Sequence, residues 1–175
     1  MIPDQKTGLQ PTSAQHAPAE EALRGPGGLR RLLHLYWRFT RPMTLGVRAA
    51  VLHPEKGVFL VRHGYVSGWQ MPGGGVDAGE TLYDAMVREL SEETHIEPVG
   101  PAALHGMFFN RYVSNRDHVA VYVVRTFREG APRTPNAEIR EGRFFALDAL
   151  PAEITRGTRA RLAEIVDGAP PSPFW

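Results

Sequence analysis

Residues 81–96 read TLYDAMVRELSEETHI, and Glu89, Glu92 and Glu93 fall within five positions of one another near its end. Thr81 is a candidate cap, with Asp84 at the reciprocal position of a capping box, so the run predicts a helix. At about 100° per residue, Leu82, Ala85 and Met86 share a stripe with the three glutamates, and Leu90 flanks it. The carboxylates therefore continue the face that the first half of the helix packs on the core. Like charges at this spacing repel, and the negative end of a helix is a poor place for anions. A solvated charge face is the bland alternative, and the helical phase argues against it. Partly buried carboxylates without partners become neutral or cost on the order of several kcal/mol. Arg88 is the adjacent cation, and on this phase it projects away from the trio. Hard divalent cations with oxygen ligands, Mg²⁺ or Mn²⁺, are the remaining remedy.

The stretch before the helix, GWQMPGGGVDAGE, holds Gly73, Gly74 and Gly75 in succession. Glycines let the main chain approach a ligand that a Cβ would keep away. Alone they say little; ahead of a carboxylate-bearing helix they suggest a metal–polyphosphate site. Taken together, Gly74, Glu80, Arg88, Glu89, Leu90, Glu92, Glu93 and Ile96 match in register the pattern G-x5-E-x7-R-E-U-x-E-E-x-G-U, with U bulky and apolar. This segment resembles the Nudix box. The one departure is His95, where the pattern has glycine. A left-handed residue is expected there, a conformation histidine adopts more readily than most side chains. The resemblance extends from about Leu45 to Asp167.

That resemblance implies an α/β/α sandwich around a mixed sheet and a hydrolase of nucleoside diphosphates linked to another group, using Mg²⁺ or Mn²⁺. Carried onto this chain, Glu89, Glu92 and Glu93 become metal ligands, with the Gly73 carbonyl as a further one. Glu92 and Glu93 also serve the catalytic step. Glu80 and Arg88 form a salt bridge tying loop to helix, with Gly74 structural beside them. Glu138 is the first candidate for a general base outside the box, and Glu141 its rival. Arg62, His63 and Tyr65 lead into the glycine loop, while Arg111, Tyr112, Asn115 and Arg116 lie on a later loop. Of these, Arg62, Tyr65, Arg111 and Arg116 are the candidate substrate contacts. Trp69 stacks a base or packs the core.

Working outward, LGVRAAVLH and GVFLVRH are β-rich runs joined by PEKG, a turn holding Pro and Gly. ALHGMFFN and HVAVYVVRTF predict two more strands around RYVSNRD. APRTPNAEIREG is a connector, RFFALDAL a further strand, and TRGTRARLAEIVDG a closing helix with Gly168 at its end. Strands interleaved with helices predict an α/β or α+β sandwich. The expected organisation is a loose leader at 1–27, an amphipathic helix at 28–41, the hydrolase domain at 42–168 and a tail at 169–175. The amphipathic stripe is Leu29, Leu32, Leu33, Tyr36 and Trp37, flanked by Arg30, Arg31, Arg38 and Arg41. It packs on the main domain or on a sister subunit, with an anionic membrane surface as the lesser alternative; dimers are frequent in the family.

Composition narrows the partners. In 175 residues, 20 basic and 19 acidic side chains leave a net charge of +1, so no global field points to nucleic acid. The cysteine count is zero, which excludes disulfides, thiolate zinc and cysteine nucleophiles, and suits a reducing cytoplasm. No apolar run reaches the length of a membrane span. A small-molecule nucleoside diphosphate derivative is the expected substrate. Two alternatives stay open: an enzyme of RNA 5′ ends, and a ligand-sensing domain that has lost catalysis.

Overall fold

The structure, a computed structural model, describes residue 36 and residues 42–64, 66–135 and 137–175. The expected leader, the expected helix at 28–41 apart from Tyr36, and Tyr65 lie outside the described residues. The sandwich is built by the unit Met43–Trp175.

Within this unit, eight strands and two helices of the described residues succeed one another in the order β1 (Thr44–His53), β2 (Gly57–His63), β3 (Trp69–Gln70), α1 (Leu82–Thr94), β4 (Ile96–Pro98), β5 (Ala103–Phe109), β6 (Asp117–Val124), β7 (Phe127–Glu129), β8 (Ile139–Phe145) and α2 (Arg156–Val166). The main sheet runs β3-β2-β1-β6-β5, with β8 on the other edge of β2; β4 and β7 form a small second sheet. β1 and β6 are parallel from Thr44↔Asp117 to Val51↔Val124, and the other pairings are antiparallel.

Alternation along β1 builds both layers of core. Val47, Ala49 and Val51 point to one face and pack with Ala85, Met86 and Leu90 of α1. Ala50 and Leu52 point to the other face, where Leu162 of α2 joins Leu60, Met71 and Phe108. A mixed sheet thus lies between two helices, the α/β/α sandwich the sequence predicts. Trp69 belongs to this core: it is buried and meets Phe145 edge-on at 4.7 Å.

The site is positioned by a gap in the sheet. β1 and β2 pair only at Leu52↔Val58 and His53↔Gly57 and then part. The glycine loop fills the opening along β1: Ala49 N–H donates to the Pro72 carbonyl (2.9 Å), Val47 N–H to Gly74 (2.9 Å), and Val76 N–H to Leu45 (3.0 Å).

Three strand boundaries differ from the sequence reading. The run from His118 to Phe127 is two strands, because the chain leaves the main sheet after Val124 and pairs next with β4. β8 starts at Ile139, inside the expected connector, and stops at Phe145, leaving Ala146–Leu150 as a turn. Backbone pairing with β2 makes Ile139–Arg143 a strand despite its polar composition. Trp69 and Gln70 are drawn into the sheet the same way. The closing helix ends as expected, with Gly168 at φ 69° just past Asp167.

The tail folds back on the domain. Phe109 N–H donates to the Pro173 carbonyl (2.9 Å) and Trp175 N–H to the Phe109 carbonyl (3.1 Å), so residues 173–175 cover the outer edge of β5. Among the described residues no helix is long and apolar enough to cross a membrane.

Candidate active site

Helix α1 begins as its sequence dictates. Thr81 Oγ1 accepts the Asp84 N–H at 3.1 Å, and the two side chains bond at 2.7 Å. It ends at His95 in the left-handed conformation, φ 57° and ψ 27°, with its N–H still bonded to the Ser91 carbonyl.

The three glutamates meet different fates. Glu93 is the most enclosed: its side chain is 5% exposed, Gly73 N–H donates to its Oε2 at 2.8 Å, and His63 Nε2 lies 3.4 Å from its Oε1. Burial, with Glu89 and Glu138 adding repulsion, pushes its pKa up to about 7, against the pull of the Gly73 N–H and of Arg48. His63 moves the other way. Burial and the nearby Arg48 charge hold it down at about 4, so near neutral pH the imidazole is neutral and the contact is no ion pair. Glu89 lies against Gly74, where a Cβ would sit 2.5 Å from its carboxylate, so glycine lets that side chain hold its present position. Burial raises the Glu89 pKa too, and Arg88 opposes the shift.

Glu92 departs from the expected inward face. Its side chain is 60% exposed, because one helical position before Glu93 falls on the flank that Arg88 shares. Arg88 corrects the sequence reading as well. Its Cβ lies on the outer flank as expected, but the long side chain folds back along the helix. Nε and Nη2 grip Glu80 at 2.9 and 3.0 Å, Nη1 donates to Glu89 at 2.7 Å and lies 3.4 Å from Glu92, and Nη2 also reaches the Gly75 carbonyl at 3.0 Å. These bonds raise its pKa further. They lower that of Glu80. The loop is thereby pinned to the helix. Gly73 has φ 138°, and a Cβ there would fall 2.1 Å from the Val47 carbonyl, so close packing on β1 demands glycine.

Glu138 sits at the head of β8, its carbonyl accepting the Gly64 N–H at 2.7 Å, and its charge is felt by Glu93. Glu141 lies 3.2 Å from both Arg62 and Arg143. Arg62 leans on Trp69 and lines a groove with His63, Arg140, Thr155 and Arg156. Arg111 packs over Phe174 of the tail at 4.6 Å, and Arg116 serves the loop through backbone bonds. Among the described residues neither arginine is in ion-pair contact with Glu89, Glu92 or Glu93. Arg156 Nη1 donates to the Tyr112 hydroxyl at 2.9 Å, which places that exposed ring beside a residue lining the groove.

Three contributors escaped the sequence reading. Arg48 donates to the Met71 carbonyl at 3.0 Å and acts electrostatically on His63, Glu89 and Glu93. Its signal was an arginine inside the apolar run of β1. Arg140 and Arg156 carried no local signal. Among the described residues no three His, Asp or Glu side chains are already gathered at metal-ligating spacing. The donor set nonetheless fits a hard divalent cation: carboxylate oxygens, two of them on buried or half-buried side chains that repel each other, beside a loop that only glycine can form.

Residues 42–165 match the NUDIX domain model. The chain belongs to that family. It is 35% identical over 99 residues to an ADP-ribose pyrophosphatase of Methanocaldococcus jannaschii, covering 57% of this chain and 52% of that one. It is 43% identical over 60 residues to an RNA pyrophosphohydrolase of Pelagibacter ubique, covering 33% and 38%. The chain thus spans about half or less of the length of these curated relatives. A crystal structure of a MutT NUDIX hydrolase from Burkholderia pseudomallei superposes with a TM-score of 0.62 at 27% identity, over 71% of this chain and 99% of that one. The NUDIX fold therefore accounts for the sandwich, the glycine loop and α1 together.

Proposed function

We propose that this NUDIX chain is a pyrophosphohydrolase dependent on Mg²⁺ or Mn²⁺, cleaving the diphosphate of a nucleoside diphosphate derivative by attack of water on phosphorus. The observation that carries it is Glu93. Burial and the neighbouring acids outweigh the Gly73 N–H and the Arg48 charge, so among the described residues this carboxylate is poorly stabilised by the protein alone. In this reading Glu89, Glu92, Glu93 and the Gly73 carbonyl hold the ion. Bound there, it would supply charge neutralisation for the diphosphate and acidify water.

The chain's own residues do the rest. Arg88 and Glu80 keep the loop and helix in register. Gly73 N–H orients the Glu93 carboxylate, and the neutral His63 ring walls off its inner side. Glu138, at the head of β8 and near enough for its charge to act on Glu93, takes the proton of the attacking water in this reading. The groove lined by Arg140 and Arg156, with Arg62 shared with Glu141, offers positive charge to the remainder of an anionic substrate.

That groove also favours a second reading. An RNA 5′ end is a polyanion that Arg62, Arg140 and Arg156 would suit, and similarity to an RNA pyrophosphohydrolase points the same way. A hydrolysis panel decides between them, with Mg²⁺ and Mn²⁺ tested separately. It would cover nucleoside triphosphates, dinucleoside polyphosphates, NDP-sugars, ADP-ribose, CoA and 5′-triphosphate RNA, with Glu92→Gln and Glu93→Gln as controls. If nothing is cleaved and neither metal binds at millimolar concentration, the enzyme reading fails. Cytoplasmic residence and a homodimer through the N-terminal stripe belong to the same proposal; cell fractionation and sedimentation test them.

A further inference from the structure

The left-handed backbone at His95 explains why glycine is usual at this helix exit, and why histidine is tolerated. It does not explain what the imidazole does. Nδ1 lies 3.0 Å from the Ala131 carbonyl oxygen, so that nitrogen carries the hydrogen and donates it. The His95 carbonyl also accepts the Gly130 N–H at 2.8 Å, extending the β4–β7 ladder beyond Ile96↔Glu129. Glycine would keep this second bond and lose the first. Beyond Ala131 the chain is tied again at Glu138, whose carbonyl accepts the Gly64 N–H at 2.7 Å.

Residues of this strap help to wall a cavity of about 210 Å³. Glu93 and Thr94 stand in its lining with Phe59, Phe144, Arg133 and Arg140. Complete ligand sites commonly run from about 300 Å³ upward, so this one holds a single ring and not a whole nucleotide. The Phe144 ring is already engaged by Phe127, Phe59 and Lys56, so it is the guanidinium planes of Arg133 and Arg140 that suit a planar heteroaromatic ring. Arg140 also lines the anion groove, so the two spaces share a wall.

We propose that this cavity is a nucleobase subsite, and that His95 is a specificity-determining positioning residue that fixes its outer wall. The proposal rests on the pyrophosphohydrolase reading for its place in catalysis, but its binding arm stands alone. His95→Gly restores the residue usual in the motif and removes only the tie to Ala131; His95→Asn keeps a side-chain N–H and tolerates the left-handed backbone. Adenosine and guanosine carry the ring without a scissile bond, and ligand-observed NMR reads their affinities. His95→Gly is expected to weaken both by about five-fold or more, and His95→Asn to recover part of the loss. Hydrogen exchange at residues 130–135 is expected to quicken in His95→Gly, while its melting temperature holds or rises. On ATP, KM rises by a similar factor with kcat within about two-fold, whereas inorganic tripolyphosphate, which lacks the ring, shows unchanged kinetics. Equal nucleoside affinities in wild type and His95→Gly overturn the proposal, as does an equal loss with tripolyphosphate. Failure of the wild type to cleave any phosphate substrate overturns the enzyme reading alone.

Discussion

Both helices bury a glutamate, and the two are treated in opposite ways. Glu93 on α1 and Glu164 on α2 have side chains 5% and 4% exposed. Burial pushes both pKa values up, yet only one of them ends there. Glu164 accepts from Arg161 at 2.5 Å, from the Ser172 N–H at 2.9 Å and lies 2.9 Å from His105 Nε2. Those partners outweigh burial and hold its carboxyl below the usual range. Arg161 is itself sandwiched over Phe108 at 3.9 Å and donates to the Phe174 carbonyl at 2.7 Å. The charges of the α2 cluster are paired within the protein, although the buried Arg161 Nε has no hydrogen-bond partner among the described residues, and the product is a tail locked onto the sheet edge. Among the described residues Glu93 has one N–H donor and the Arg48 charge nearby, set against burial, a neutral histidine and repelling acids, and burial prevails. A buried acid that the fold completes is architecture; one left incomplete waits for something the chain does not contain.

The largest expected effects are therefore reciprocal. Glu93→Gln keeps an acceptor for the Gly73 N–H while removing the charge, so turnover should fall about 100-fold or more. Without divalent ions its stability at pH 8 should stay level or rise. Glu164→Gln should do the reverse: a loss of about 3 kcal/mol, because buried Arg161 is left uncompensated, with turnover per folded molecule near normal. Denaturant titration and steady-state kinetics on both variants check the pair, and equal stability losses would erase the distinction between the two acids. Next in size, Glu138→Gln should lower turnover at least about ten-fold, and near-normal kinetics would remove Glu138 from the site. A saturating divalent ion should then raise the wild-type melting temperature, by an amount equivalent to about 2.7 kcal/mol at a hundred times its dissociation constant. The rise should shrink in Glu93→Gln; an equal rise would place the ion elsewhere.

The same contrast separates what the sequence made legible from what it hid. Helix α1, its Thr81 cap, the inward face of Glu89 and Glu93, and the left-handed exit at His95 are local, so periodicity and residue type reveal them. The strands β1 and β2 with their PEKG turn are local too. Glu164 and Arg161 are joined to His105 by a contact 59 residues apart in the chain, and their residue types suggest nothing unusual. β8 shows the same limit: Ile139–Arg143 is too polar to announce a strand, and only β2 makes it one. Arg88 marks a different boundary. Periodicity gives the direction of a Cβ but not the reach of a long side chain, so its hold on Glu89 was invisible while its pairing with Glu80 followed from the motif.

The smallest expected effect lies in the pH dependence of stability without metal, where His63 and Glu93 oppose each other. Glu93 has a folded pKa raised from 4.5 to about 7. Its contribution is therefore fully present below pH 4.5 and is lost as pH rises through 7. His63 has a folded pKa lowered from 6.5 to about 4. Its contribution is present above pH 6.5 and is lost as pH falls through 4. Between these limits the two slopes have opposite signs and largely cancel in the wild type. Removing either partner exposes the other. Glu93→Gln should lose stability on acidification from pH 6.5 to 4, relative to wild type. His63→Leu, which keeps the pocket apolar, should gain it between pH 7 and 4.5. Other carboxylates titrate alike in both variants, so the difference between the two curves isolates the pair, and curves that run parallel would show that the 3.4 Å contact carries a fixed charge after all.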